Sequence, residues 1–197
     1  MKLHAITRAA VAPDTPAPSD RALLAAVKAG SAWAMAALYD EYHQGVRGLA
    51  RRLLGDDAAA EDVVQEVFAA LPRAAGRYRG DADEQAFLFG ITVKRARSHL
   101  RAAIRRRRLL ERYARHERSS PRNPEQDAYR EELARRLIYA LDHISTAHRE
   151  AFVLCEVEGM AAAQAAAILG VPEATVRTRL FHGRARLRAL LDDEVES

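Results

Sequence analysis

Apolar residues recur at helical intervals along most of the chain. Leu38, Tyr42, Val46, Leu49 and Leu53 stand three or four residues apart, which predicts one long helix. Val64, Val67, Phe68 and Leu71 mark the inner face of the next, while Asp62, Gln65 and Glu66 lie at i, i+3 and i+4 on its outer face. Ser19 reads as the N-cap of an earlier helix running from Ala22 to Gly30. The stretch "PRAAGRYRGDADEQ", residues 72–85, breaks the pattern with Pro, Gly and Asp and reads as a loop. Helix resumes over 85–110. Residues 115–128, "RHERSSPRNPEQDA", are polar, hold two prolines and lack apolar periodicity, as a linker does. Leu133, Leu137, Leu141 and Ile144 then mark a helix, and "AHREAFVLCEVEGM" another. No strand pattern and no repeat is present. The prediction is an all-α protein of two small helical domains joined by a flexible linker. Its bounds are a disordered lead over 1–18, a first domain over 19–112, a linker over 113–129, a second domain over 130–191 and an acidic tail over 192–197.

The stretch "ILGVPEATVRTRL", residues 168–180, carries the first chemical signal. Gly170 fits the residue that leaves a helix in the left-handed conformation. Pro172 sits at the start of the next helix, where its missing N–H costs nothing. A helix, a tight glycine turn and a second helix make a helix-turn-helix unit. On a helical wheel Val176, Leu180, Leu187, Leu190 and Leu191 fall together and face a core, with Thr178, Phe181 and His182 broadly opposite. Arg177, Arg184 and Arg188 line one flank and Arg179 and Arg186 the other. Such a helix suits a major groove, with polar residues near its start on base edges and flanking arginines on phosphates or guanines. The competing reading is an arginine-rich helical hairpin.

Charge sharpens this picture. The net charge is only +4, with a sequence pI near 9.5. Arg73 to Arg118 nevertheless hold fourteen Lys or Arg against five Asp or Glu, with "IRRRR" at 104–108 the densest part. Pro172 to Leu191 hold five arginines against one acid, and Asp56 to Glu66 hold five acids and no base. Two basic zones, one per domain, form the electrostatic footprint of a polyanion binder. A solvated, salt-laced helix surface is the plainer reading of either zone alone.

Other chemistry is sparse. Cys155 is the one cysteine, so neither an internal disulfide nor a cysteine zinc site is expected, and a reducing, intracellular compartment is. Within its apolar helix it reads as a packed small hydrophobe rather than a redox sensor. Trp33, with Met35, Leu38 and Tyr39, is expected in the core. The seven histidines are scattered without metal-ligand spacing. No apolar run reaches the length of a membrane helix. The apolar N-terminal run is broken by Arg8 and followed by three prolines, unlike a signal peptide. No nucleophile elbow, phosphate loop or paired-acid set stands in a supporting context, so no enzyme is expected.

"AEDVVQEVF", residues 60–68, resembles region 2.2 of the bacterial sigma-70 family. "ALDHISTAHREAFVLCEVEGM" followed by "AAILGVPEATVRTRLFHGRARLRALL" resembles its region 4. Across roughly residues 20–191 the chain is similar to the compact extracytoplasmic-function (ECF) sigma factors. That resemblance implies a polymerase-docking site at Asp62, Gln65 and Glu66, against the β′ clamp helices. It implies a −10 region at Arg77, Tyr78, Arg79, Lys94, Arg95, Ser98 and Arg101, and a −35 region at Thr175, Arg177, Thr178, Arg179, Phe181, His182 and Arg184. The implied partners are core RNA polymerase (β′ clamp helices and β flap), promoter DNA and an anti-sigma factor. No cofactor, no metal and no membrane insertion are implied, and the place of action is the cytoplasm, at the nucleoid when active. The chain departs from the family pattern at "FLFGITVK" in place of "WLYRIARN", which puts Phe87 and Lys94 where tryptophan and asparagine are usual. Ser98 replaces a common aspartate, "AQAA" at 163–166 replaces "EEIA", and Ala174 replaces a glycine. An ordinary helix-turn-helix regulator and a helical adaptor that binds only proteins are the alternatives.

Overall fold

The computed structural model describes residues 20–80, 83–113 and 137–193, with side chains over 22–80, 83–105 and 137–191. Every regular element among them is helical. In chain order these are α1 (Asp20–Lys28), α2 (Ala32–Leu54), α3 (Asp57–Ala75), α4 (Glu84–Tyr113), α5 over 137–142, α6 (Thr146–Phe152), α7 (Ala162–Leu169) and α8 (Glu173–Asp193). The Ser19 cap, the lead over 1–18, Leu133, the linker beyond Tyr113 and residues 194–197 of the tail lie outside the described residues.

Short-range chemistry sets the helix ends. Ser31 caps α2 by accepting from the Ala34 N–H at 3.3 Å, and Asp56 caps α3 by accepting from the Ala59 N–H at 2.7 Å. Asp83 accepts from the Ala86 N–H at 2.6 Å at the start of α4, and Ser145 from the His148 N–H at 3.3 Å at the start of α6. Asp56 and Asp83 also place carboxylates at the positive ends of helix dipoles.

Two expectations fail. Pro72 does not end α3, which continues to Ala75. A proline in the last turn removes only one helical hydrogen bond, and burial of Leu71 and Ala75 offsets that loss. Trp33 is not in the core but 62% exposed, and Tyr39 is 40% exposed. The buried stripe of α2 runs through Ala34, Leu38, Val46, Leu49 and Leu53, and Trp33 lies one residue, about 100° of helical rotation, off it.

Helices α1 to α4 enclose one core, with Leu23, Leu24, Val27, Leu38, Val46, Val63, Val67, Leu71 and Leu88 inside. A second core does not stop at the boundary between the halves. Leu49 and Leu53 of α2 and Phe89, Val93 and Ala96 of α4 pack in the same cluster as Leu141, Leu154, Leu169, Val176 and Leu187. The C-terminal helices therefore close onto the N-terminal bundle instead of standing apart from it.

Polar contacts border that shared core. Arg97 of α4 grips Glu150 of α6 with two parallel hydrogen bonds of 2.7 Å and donates to the Leu169 carbonyl at 3.4 Å. The hydrogen bond and charge of Glu150 raise the Arg97 pKa against the opposing effect of burial. Arg149 donates to the Leu53 carbonyl at the end of α2 and pairs with Asp142. Burial lowers the Arg149 pKa, and Asp142 offsets part of this. Arg52 of α2 holds Glu158 at 2.7 Å. Glu158 follows a π-helical turn, Val153–Val157, where the Glu158 N–H reaches back five residues to the Val153 carbonyl at 3.0 Å. Nothing in the apolar periodicity announced that turn.

Candidate nucleic-acid interface

Gly170 ends α7 in the left-handed conformation with φ 68°, where a side chain would be strained. Its N–H and that of Val171 both return to the Ala166 carbonyl, at 2.9 and 3.2 Å. The Pro172 carbonyl accepts from Thr175 and Val176 and so starts α8. Ala165, Ala166 and Leu169 of α7 close on Val176, which fixes the angle between the two helices. Gly183 sets the other packing edge. A Cβ there would stand 3.3 Å from the His148 carbonyl of α6, so a larger residue would push α8 and α6 apart by a few tenths of an ångström.

This packing buries Val176 and Leu187 and turns the opposite face of α8 outward. Phe181 is 69% exposed, and Arg177, Thr178, His182, Arg184, Arg186 and Arg188 are exposed as well, with Thr175 and Arg179 half-buried. The Thr178 hydroxyl donates to the Ala174 carbonyl at 3.0 Å. Two of the arginines already have carboxylate partners. Arg177 pairs with Glu173 one turn earlier at 2.5 Å, and Arg184 pairs with Glu156 of the π-helical turn. Exposed pairs of this kind are worth up to about 1 kcal/mol, so a phosphate displaces them at little cost. His148 faces His182 with ring centroids 6.1 Å apart, beside the outward face. Sequence reasoning passed over His148, and the glycine at 183 was the one signal that α6 comes this close.

A second cationic surface lies on the other half. A groove of about 1460 Å³ runs between α3, α4 and α7. Arg73, Arg77, Lys94, Arg95, Ser98 and Arg101 line it, together with Phe87 and Ile91 of α4 and Ala167 and Ile168 of α7. Lys94, Ser98 and Arg101 are exposed, as are Arg77 and Arg79 in the turn before α4. Tyr78 folds inward, its ring 5.0 Å from that of Phe87. The structure thus brings the expected −10 residues Arg77, Lys94, Arg95, Ser98 and Arg101 to one groove. Tyr78, packed on Phe87, and Arg79 are not among the groove-lining residues.

The acidic face of α3 is less open than its charge suggests. Asp57 and Glu61 are held by Arg47 and Arg51 of α2, at 3.2 to 3.4 Å. Asp62 and Gln65 are exposed. Glu66 turns toward α4, 3.0 Å from His99 and 3.6 Å from Arg95. The expected docking residue Glu66 and the expected DNA residue Arg95 are therefore in contact. No group of three His, Cys, Asp or Glu residues that could hold a metal exists among the described residues.

Two family models match this chain: sigma-70 region 2 over residues 38–108 and sigma-70 region 4 over residues 134–187. The chain is 31% identical to RNA polymerase sigma factor CarQ of Myxococcus xanthus over 157 residues, covering 79% of this chain and 88% of that protein. It is 30% identical to the ECF RNA polymerase sigma-E factor of Escherichia coli K12 over 191 residues, covering 90% and 95%. Among solved structures it is similar to CnrH in complex with the cytosolic domain of CnrY, with TM-score 0.65, 30% identity and coverage of 88% and 97%. It is also similar to the sigma factor RpoE in complex with the anti-sigma factor NepR from Bartonella quintana, with TM-score 0.64, 25% identity and coverage of 78% and 94%. A helix-turn-helix with an outward cationic face, a second cationic groove on an earlier helix and matches to both regions in this order place the chain in the sigma-70 family, among its ECF sigma factors.

Proposed function

We propose that the chain is the promoter-specificity subunit of a bacterial RNA polymerase and that its two cationic surfaces divide the promoter between them. The single observation that carries this reading is the difference between those surfaces. The outward face of α8 is a convex helix, the form that enters the major groove of duplex DNA. The α3–α4 surface is different: Arg73, Arg77, Lys94, Ser98 and Arg101 stand around the Phe87 ring, a set that follows a single strand and stacks its bases.

In this reading Thr175, Arg177, Thr178, Arg179, Phe181, His182 and Arg184 contact the −35 element. Arg177 and Arg184 exchange carboxylates for DNA, while Phe181 offers an apolar contact to a thymine methyl. Arg77, Tyr78, Arg79, Lys94, Arg95, Ser98 and Arg101 hold the melted −10 strand. That α3–α4 surface supplies binding energy that exists only once bases have left the stack, so capture favours the open duplex. The protein thereby drives strand separation by binding, and the bond-forming chemistry belongs to the polymerase. Asp62 and Gln65 dock on the β′ clamp helices with Glu66 at the border of that face. A hollow formed by Phe152, Glu156, Arg184, Leu187, Arg188 and Leu191 suits an apolar element of the β flap. The solved RpoE relative is bound to an anti-sigma factor. We assign an anti-sigma partner to this chain by the same likeness, and the cytoplasmic nucleoid as its place of work.

Run-off transcription with purified core polymerase, on a genomic fragment library, tests the proposal. Transcripts that require the chain and weaken with Arg177→Ala and Arg184→Ala together are expected. Binding of the free chain to specific duplex DNA without any dependent transcript overturns the proposal in favour of an ordinary regulator.

A further inference from the structure

Lys94, Arg97, Ser98 and Arg101 stand at i, i+3, i+4 and i+7 and so form one stripe along α4. Three of the four line the basic groove. Arg97 does not, because its guanidinium is turned toward α6 and held by both oxygens of Glu150. Glu150 is 5% exposed in its side chain, so its charge is withdrawn from water and Arg97 is its compensating cation.

The same contact belongs to an arrangement that cannot read a promoter. Phe89, Val93 and Ala96 of α4 share one core with Val176 and Leu187 of α8. Elements numbered −10 and −35 lie about 25 base pairs apart, or about 85 Å along a duplex. Helices are about 10 Å across, so two that feed one core span a small fraction of that distance. Gln164, Ala167 and Ile168 of α7 moreover line the same groove as Lys94 and Ser98. A chain that grips both elements has left this closed form.

We propose that Arg97 is a two-state residue: Glu150 holds it in the closed chain, and on opening it completes the α4 stripe and grips the phosphate backbone of the melted strand. A guanidinium binds carboxylate and phosphate through the same two-pronged geometry. Glu150 and the nucleic acid therefore compete for one side chain, and strand binding and opening favour each other. Glu150, uncovered by opening, regains water. The DNA role of Arg97 rests on the promoter-reading function above, whereas the latch does not.

The test uses the full chain and two measurements. Small-angle scattering reads compactness, and binding to a random-sequence single-stranded oligonucleotide at several salt concentrations reads the number of phosphates engaged. Glu150→Gln and Arg97→Ala are both expected to expand the chain with unchanged helicity. Only Glu150→Gln, which frees Arg97, is expected to steepen the salt dependence, by about 0.7 in log–log slope for one added phosphate on a single strand. Glu150→Asp keeps the charge but shortens the arm, and is expected to fall between wild type and Glu150→Gln in size. Wild-type compactness in all three variants overturns the latch. Expansion with equal slopes for Glu150→Gln and Arg97→Ala overturns the DNA role of Arg97. Salt-independent or absent binding by every variant, wild type included, overturns the DNA role of Arg97 and leaves the latch measured on its own, while run-off transcription decides the promoter reading separately.

Discussion

Arg149 and Leu53 are 96 positions apart in the chain, yet one Arg149 guanidinium nitrogen donates to the Leu53 main-chain oxygen at 2.8 Å. The same nitrogen lies 2.8 Å from an Asp142 carboxylate oxygen. Leu53 is in the last turn of α2, where carbonyls have no helical N–H to accept from. One side chain of the C-terminal half thus completes a helix of the N-terminal half.

Removing that side chain separates a charge from its partner and leaves the carbonyl unmet. Arg149→Ala is expected to lower stability by about 3 kcal/mol. Asp142→Asn keeps the Arg149 contact with Leu53 but leaves the buried guanidinium facing a neutral amide, and is expected to cost less, about 1 to 2 kcal/mol. Denaturant midpoints of the two variants, measured side by side, check the ordering. Equal losses would mean that the Leu53 contact contributes nothing.

The α8 arginines make a different prediction, because their loss touches binding and not the core. Arg177→Ala and Arg184→Ala should each change stability by less than about 0.5 kcal/mol. Each should also reduce the salt slope of duplex binding by about 0.9 if its partner there is a phosphate. Phe181→Ala should leave the slope alone and weaken promoter binding at one base pair only, by about 1 kcal/mol or more. Titrations with holoenzyme at several salt concentrations separate the three.

Glu158 gives the closed form a pH dependence. Burial raises its pKa, and Arg52 opposes the rise only in part. A carboxyl with a raised pKa binds its proton more tightly in the folded chain than in the unfolded one. Its contribution therefore favours folding at low pH and is lost as pH rises from the ordinary carboxylate range through the folded value. Glu158→Gln cannot ionise and should flatten this part of the stability curve. Unfolding midpoints between about pH 4 and pH 7 should show wild type losing ground to the variant as pH rises. Parallel curves would contradict the assignment.

Cys155 should be a poor nucleophile. Burial pushes its thiol up, the neighbouring Glu156 pushes it further, and Arg184 pulls it back in part. Thiolate is the reactive species, so labelling at pH 8 should run slower than for the same chain in denaturant. A rate in the folded chain equal to that in denaturant would show an accessible, ordinary thiol.

Much of this protein was legible in the sequence because much of it is local. Helices α2, α3 and α4 followed from apolar residues three and four apart, a property of one helix by itself. The turn at Gly170 followed from the one residue type that takes a left-handed φ without strain. The outward set on α8 followed from the wheel, since burying Val176 and Leu187 leaves Phe181 and His182 nowhere else to face. The family, in turn, follows from motifs that are contiguous in the chain.

What the tertiary structure decided involves residues far apart in the chain. Pro72 stays inside α3 because of where Leu71 and Ala75 are buried, not because of its own backbone preference. Hydrophobicity alone placed Trp33 inside, but the core stripe of α2 passes beside it. Arg97 and Glu150 are 53 positions apart, and Arg52 and Glu158 are 106 apart, on helices whose own patterns contain no trace of the other. Periodicity says which face of a helix is apolar. It does not say which other face covers it, and here that choice joined the two halves through one core and withdrew Arg97 from its stripe. Pairings of this kind arise when desolvated charges and apolar surface find partners in three dimensions.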